Sequence, residues 1–166
     1  MDENKKIKYL GNENDKELKD FILFHLEGAI YGIELKKIKE ILTYPHDMIT
    51  RLPNVNKCVK GLLNLRGNVI PIIDFRIKFI QKDNPIYDDK TAIITISTND
   101  FREIGIVIDK VEDTIKLDET QIVKAEDLGT SIKKEFLIGY IQNEDNRMII
   151  ILDIEKILSK DEINKL

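Results

Sequence analysis

The chain has no tryptophan, one cysteine and two histidines among 166 residues. A single cysteine, Cys58, excludes an intramolecular disulfide. The two histidines, His25 and His46, begin no ligand spacing, so a zinc site lacks donors. Aromatic residues make up only 7% of the chain, too few for the stacking platforms that hold single-stranded nucleic acid. Long apolar runs are missing as well. The longest, MIIIL at 148–152, is strand-sized, against the roughly 18 residues a membrane span needs. The first twenty residues, MDENKKIKYLGNENDKELKD, contain no apolar signal-peptide core. Charge of one sign is absent too: the net charge is −4, and Lys and Arg alternate with Asp and Glu throughout. No basic stripe is available to neutralise phosphates, which argues against nucleic acid or an anionic membrane as partner. The expected compartment is the cytoplasm, without direct membrane insertion.

Catalytic signatures are equally scarce. The chain has no glycine-rich phosphate loop, no GxSxG elbow and no Rossmann fingerprint. Asp74 and Asp153 recur at matching places and could form a paired-carboxylate site. Each also fits a helix N-cap, and we read them as caps. Cys58 has Lys57 and Lys60 nearby, which would lower its pKa. The plainer reading is a small, partly buried residue ahead of a strand. No cofactor and no metal are expected.

What is present is a pattern of short apolar runs read twice. FILFHL (21–26) and IYGIEL (30–35) flank a Gly-bearing turn and read as a hairpin. KKIKEIL (36–42) fits a helical turn or a strand. GLLNLR (61–66) and VIPIIDF (69–75) form a second hairpin, in which Pro71 lacks an N–H and is expected at an edge or bulge. TAIITIS (91–97), REIGIVID (102–109), DKVEDTIKL (109–117), FLIGYIQ (136–142) and RMIIILD (147–153) then repeat the order. Gly32 matches Gly105, Ile38 matches Val111, Gly61 matches Gly139 and Asp74 matches Asp153. FRIKFI and IEKILSKDEINKL follow the two aspartates as helices, the second with Ile154, Ile157, Leu158 and Ile163 on one face.

The expected fold is therefore all-β with short helices. Each pass supplies four or five strands, and a small sheet hides its edges by closing. Two barrel subdomains, at about 19–83 and 90–158 with strand exchange allowed between them, pack together within 19–160. Residues 1–18 are read as a flexible extension too polar to offset their ordering entropy, and 154–166 as a C-terminal helix.

The stretch GLLNLRGNVIPIIDFRIKF closely resembles the signature of the bacterial chemotaxis coupling family, CheW. FILFHLEGAIYGIELKKIKEIL resembles the family's opening hairpin, TAIITI with IGIVIDKVEDTIKLDETQI its middle, and FLIGYIQNEDNRMIIILDIEKIL its end. Four blocks in order over about 20–160 carry the resemblance. It implies two packed five-stranded SH3-like barrels and a non-catalytic adaptor, monomeric in isolation. The implied partners are the regulatory domain of the histidine kinase CheA and the cytoplasmic tips of chemoreceptors, the methyl-accepting chemotaxis proteins, in membrane-associated arrays. The receptor-facing residues implied are Ile38, Glu40, Ile41, Lys60 and Arg66. Ile38 and Ile41 would be apolar anchors, and Arg66 either a receptor contact or a brace between barrels. The kinase-facing residues implied are Ile122, Val123 and Leu128, in the connector that departs most from the family. Ile38→Asp is accordingly expected to abolish receptor binding with little change in melting temperature. A small enzyme on a β scaffold and a nucleic-acid-binding double barrel are the competing readings. The first would need a converged acid–base or metal site, the second a basic face with exposed aromatics.

Overall fold

In the computed structural model, which describes residues 17–124 and 132–166, the first hairpin shows how the core is divided. β1 (Leu18–Leu26) pairs antiparallel with β2 (Ala29–Glu34). Glu27 and Gly28 form the turn at φ 47° and 84°, the left-handed pair that suits the twist of a tight hairpin. Phe21 and Leu23 enter one apolar cluster, with Leu117, Ile141, Ile149 and Ile151. Ile22, Phe24 and Leu26 enter a different and larger one. Both faces of β1 are thus buried, which is why FILFHL reads as a nearly unbroken apolar run and not as an alternation.

The segment KKIKEIL divides into a 3-10 turn at Leu35–Lys37 and strand β3 (Ile38–Thr43). There follow β4 (Val59–Leu65), β5 (Asn68–Asp74), α1 (Phe75–Lys78), β6 (Ala92–Ser97), β7 (Glu103–Ile108) and β8 (Lys110–Asp118). The chain closes with β9 (Leu137–Gln142), β10 (Met148–Leu152), α2 (Ile154–Ile157) and α3 (Lys160–Asn164). The expected all-β class is what the molecule has, as two packed five-stranded sheets.

The sheets run β8-β1-β2-β10-β9 and β3-β6-β7-β5-β4. Numbered within each pass, both orders read third, first, second, fifth, fourth. The first and second strands always come from one pass and the other three from the other pass. Parallel pairs β10–β2 and β5–β7 join the two contributions. Leu63, Ile70, Ile72, Ile93 and Val107 fill the second sheet. The largest cluster lies between the sheets and takes Ile33 and Ile150 from one, Ile73, Ile94 and Ile106 from the other, and Ile154, Ile157 and Leu158 from the end of the chain.

The matched glycines mark equivalent close approaches. A Cβ on Gly32 would collide with Ile151, and one on Gly105 with Ile72, where the parallel strands meet. A Cβ on Gly61 would run into the Thr50 carbonyl, and one on Gly139 into the Val123 carbonyl. Thr50 and Leu62 exchange two backbone hydrogen bonds of 2.9 Å, and Val123 and Tyr140 do the same.

One expectation changes and one holds in part. Pro71 is in an internal strand, not at an edge, but lies next to an irregularity in the pairing of β4 with β5, between Val59 and Gly61. It faces Leu62, whose N–H and C=O both go to Thr50, so the pair exchanges no hydrogen bonds. The ladder to β7 starts one residue later, at Ile72, so the missing N–H interrupts nothing. The helix expected over 154–166 is two helices, because the chain breaks at Leu158 and Ser159 caps the second through its hydroxyl, which accepts from the Glu162 N–H at 3.4 Å.

Gly61 combines φ 140° with a filled Cβ site, whereas Gly28 has open space. Gly61→Ala is expected to cost about 3 kcal/mol or more in urea unfolding, and Gly28→Ala about 1 kcal/mol, from backbone strain alone. Equal costs would contradict the close approach at Thr50.

Candidate functional site

The five residues on the receptor side separate into three places. β3 is an outer strand of its sheet, and its burial alternates, with Ile38, Glu40 and Leu42 half-buried and Lys39, Ile41 and Thr43 exposed. Ile38 packs against the inter-sheet core. Ile41 is 40% exposed. It borders a 480 Å³ recess with Ala92 and Val111, flanked by Lys90 and Lys110, where β3 and β6 of one sheet meet β8 of the other.

Arg66 does not end a strand. With Gly67 it forms the β4–β5 turn, at φ 53° and 85°. Its side chain is 83% exposed, and Nη2 donates to Glu40 Oε1 at 3.2 Å. The pair connects β3 to the β4–β5 turn, which lie at opposite ends of the strand order. Such an exposed pair is worth about 0–1 kcal/mol. Lys60 stands elsewhere, its Nζ 5.1 Å from the centre of the Tyr87 ring.

On the other sheet, Asp118 caps a 3-10 turn at Glu119–Gln121 in a reciprocal capping box with Gln121. Ile122 and Val123 follow it. Val123 is 50% exposed and Ile138, beside its Tyr140 bridge, 43%. Ile122 and Ile138 line a 310 Å³ recess with Phe21, Lys19 and Lys124. Leu128 lies outside the described residues. Sequence reasoning missed Ile138, although its neighbour Gly139 was matched to Gly61.

Between these surfaces lies a charged clasp that the sequence reading did not find. The Arg76 side chain is 1% exposed. Its Nε and Nη2 donate to the two oxygens of Asp74 at 3.1 and 2.9 Å. Its Nη1 donates to Asp109 Oδ1 at 3.0 Å and to the Ile86 carbonyl at 2.5 Å. Tyr87 stacks on the guanidinium, 4.7 Å from ring centre to Cζ, and its hydroxyl donates to Asp74 Oδ2 at 2.6 Å. Asp74 also caps α1 as expected, accepting from the Arg76 N–H. Burial alone would lower the Arg76 pKa, but the bonds to Asp74 and Asp109 outweigh it and hold it above its ordinary value. Burial, reinforced by the bond to Asp74, pushes the Tyr87 phenol well up. Asp109 Oδ2 accepts from the Glu27 N–H at 2.6 Å, so the clasp reaches the other sheet's first hairpin.

The matching position after Asp153 holds Glu155. It accepts from Lys37 Nζ at 3.0 Å and from the Asn99 N–H at 3.1 Å. The signs of the pair are reversed here, and it is less buried, at 19% exposure for Lys37 and 26% for Glu155.

The remaining reactive residues are structural in their surroundings. Cys58 is buried, and burial pushes its thiol pKa up despite the opposing charge of Lys78. His25 Nε2 is 3.6 Å from Glu112, and His46 packs edge-on against Tyr44. Among the described residues no three His, Cys, Asp or Glu side chains converge to hold a metal ion.

Two packed five-stranded sheets with exchanged strands define the fold class, and the comparisons give the family. The CheW-like domain model matches residues 20–162, and the chain belongs to that family. It is 39% identical over 144 residues to the chemotaxis protein CheW of Klebsiella aerogenes, covering 87% of this chain and 84% of that one. It is 32% identical over 140 residues to the chemotaxis protein CheW of Bacillus subtilis, covering 84% and 86%. The crystal structure of the scaffolding protein TtCheW from Thermoanaerobacter tengcongensis superposes with a TM-score of 0.74 at 26% identity, covering 87% of this chain and 94% of that one. The family consists of chemotaxis scaffolds and adaptors, not enzymes.

Arg76→Leu would leave Asp74 buried without its cation and is expected to cost about 3–5 kcal/mol in urea unfolding. Glu155→Leu, at the less buried counterpart, is expected to cost about 1 kcal/mol or less. The raised Tyr87 pKa gives a pH test. Above about pH 10 the unfolded chain releases the phenolic proton while the folded chain keeps it, so stability falls as pH rises. Tyr87→Phe is expected to flatten that fall between about pH 10 and 12; an unchanged slope would contradict the buried Tyr87–Asp74 bond.

Proposed function

We propose that the chain couples chemoreceptors to the histidine kinase CheA, placing the kinase under receptor control within a membrane-associated array. The observation that carries this reading is membership of a scaffold family, supported by exposed apolar side chains on both sheets, Ile41 on one and Val123 and Ile138 on the other. Ile41, with Glu40 and Arg66 beside it, serves the cytoplasmic receptor tip. Ile122, Val123 and Ile138, with Leu128 in the adjoining connector, serve the kinase regulatory domain. No described helix is long and apolar enough to cross a membrane, and attachment to the array comes through the receptor.

Half-burial changes the choice of test residue. Ile38 packs on the core, so Ile38→Asp is expected to lower the melting temperature by several degrees, about 2 kcal/mol. Ile41 is the clean probe. In titrations against the isolated CheA regulatory domain and a receptor tip fragment from the same organism, Ile41→Asp is expected to weaken only receptor binding, by at least about tenfold. Val123→Asp is expected to weaken only kinase binding by a similar factor. Wild-type protein that is folded yet binds neither partner would refute the coupling role.

A further inference from the structure

The first half of the chain supplies β1 to β5 and α1, and the second supplies β6 to β10, α2 and α3. Neither half builds a sheet alone. Each sheet takes strands from both, and four ladders join the halves: β1–β8, β2–β10, β3–β6 and β5–β7. The ion pairs Arg76–Asp109 and Lys37–Glu155 also run from one half to the other. A hairpin such as β1–β2 or β4–β5 is marginal without further strands, so each half needs the other to fold. None of these contacts depends on both halves belonging to one chain.

The halves are tied together by the connector after α1, which folds back on itself over a short stretch. The Lys82 N–H donates to the Arg76 carbonyl at 3.1 Å, and the Ile86 carbonyl accepts from Arg76 Nη1 at 2.5 Å. Between Lys82 and Ile86 the chain thus leaves Arg76 and returns to it. Gln81 makes the reversal at φ 57°, a left-handed conformation that a side chain disfavours. Gln81, Lys82, Asp83 and Asn84 are all exposed. From Ile86 onward the connector is packed again. Tyr87 stacks on Arg76 and Tyr44 and bonds Asp74, and the Thr91 carbonyl accepts from the Tyr44 N–H at 2.9 Å. Among the described residues, straightening Gln81–Pro85 would break the bond from Lys82 to the Arg76 carbonyl and the ion pairs Lys82–Glu27 and Lys57–Asp83. The ladders and both clasps would stay available to a second copy.

We infer that two copies of this chain can exchange halves about the hinge Gln81–Pro85, so that β1–β5 of one copy complete both sheets with β6–β10 of the other. The folded-back hinge keeps the chain a monomer. Within one chain the halves meet at an effective concentration of roughly millimolar, so exchange needs an extended hinge or a very concentrated solution. Each unit of the exchanged dimer is a complete fold, and the dimer presents the Ile41 and Val123 surfaces twice.

The test is a full-length chain whose hinge cannot fold back. Gln81→Pro, Lys82→Pro, Asp83→Pro and Asn84→Pro together make, with Pro85, a stiff run of about 16 Å. The run forbids the positive φ at position 81 and removes the Lys82 N–H. After refolding from urea at on the order of 100 µM, light scattering is expected to show this variant mostly dimeric and the wild type mostly monomeric. Asp20 and Lys116 are partners across β1 and β8 and belong to different halves. Asp20→Cys/Lys116→Cys, oxidised and run on a denaturing gel without reductant, is therefore expected to give covalent dimers in the proline background and single chains in the wild-type background. A proline variant that is folded and monomeric overturns the inference. So does a dimer whose disulfides close within single chains, because its copies then associate through their surfaces. If the proline variant does not refold, the wild-type hinge decides the matter. Refolded at on the order of 1 mM, near the effective concentration, the two-cysteine chain is expected to yield covalent dimer; single chains alone would overturn the exchange.

Discussion

A guanidinium withdrawn from water must be surrounded by acceptors, and the position of Arg76 sets much of the rest of the molecule. Its donors hold Asp74 at the end of β5, the Ile86 carbonyl in the connector before β6, and Asp109 at the start of β8. Through Asp109 the constraint passes to the Glu27 turn of the other sheet. An isolated buried cation would cost several kcal/mol, and bidentate pairing with a carboxylate that is itself hydrogen-bonded offsets that cost. The segments so pinned are the ones that carry Lys90 and Lys110.

Burial is divided three ways: a small core within each sheet and a larger one between them. Strands such as β1 and β7 are apolar on both faces for this reason, while outer strands such as β3 alternate. Ile41, Val123 and Ile138 are among the large apolar side chains that stay outward. Ile41 is exposed because β3 is an outer strand, and Val123 because it only bridges β9 from outside the sheet. Both surfaces are by-products of where sheet pairing stops.

The two passes and the β class were legible because hairpin periodicity and the matched glycines are local and repeated. Gly61 and Gly139 could be paired by register alone, and both prove to sit under a neighbouring carbonyl. Other features depended on long-range contacts. Nothing local marks Arg76 as buried, since an arginine two residues beyond an N-cap normally points to water. Lys90 becomes a neighbour of Ile41 because β3 and β6, from different passes, share a sheet, and Lys110 because β8 of the other sheet packs beside them. Ile38 and Ile41 look alike as apolar residues of one strand, and only the packing separates the core residue from the exposed one. Pro71 is accommodated away from an edge because its partner Leu62 turns its hydrogen bonds to Thr50, a residue of the connector.

The reversed polarity of the two clasps bears on how the chain selects its own partners. In the pairing observed, Arg76 bonds Asp109 and Glu155 bonds Lys37. If each pass had kept its own strands, β5 would lie beside β2 and β10 beside β7. Gly32 and Gly105 are equivalent, so that pairing would bring Arg76 toward the turn that carries Lys37, and Glu155 toward Asp109. Both contacts would then join like charges, one of them at a site with almost no access to water. The apolar pattern of the two passes is too similar to distinguish these pairings. The sign of four charged positions does distinguish them, and it acts as an address that sends each pair of parallel strands to the opposite half of the chain.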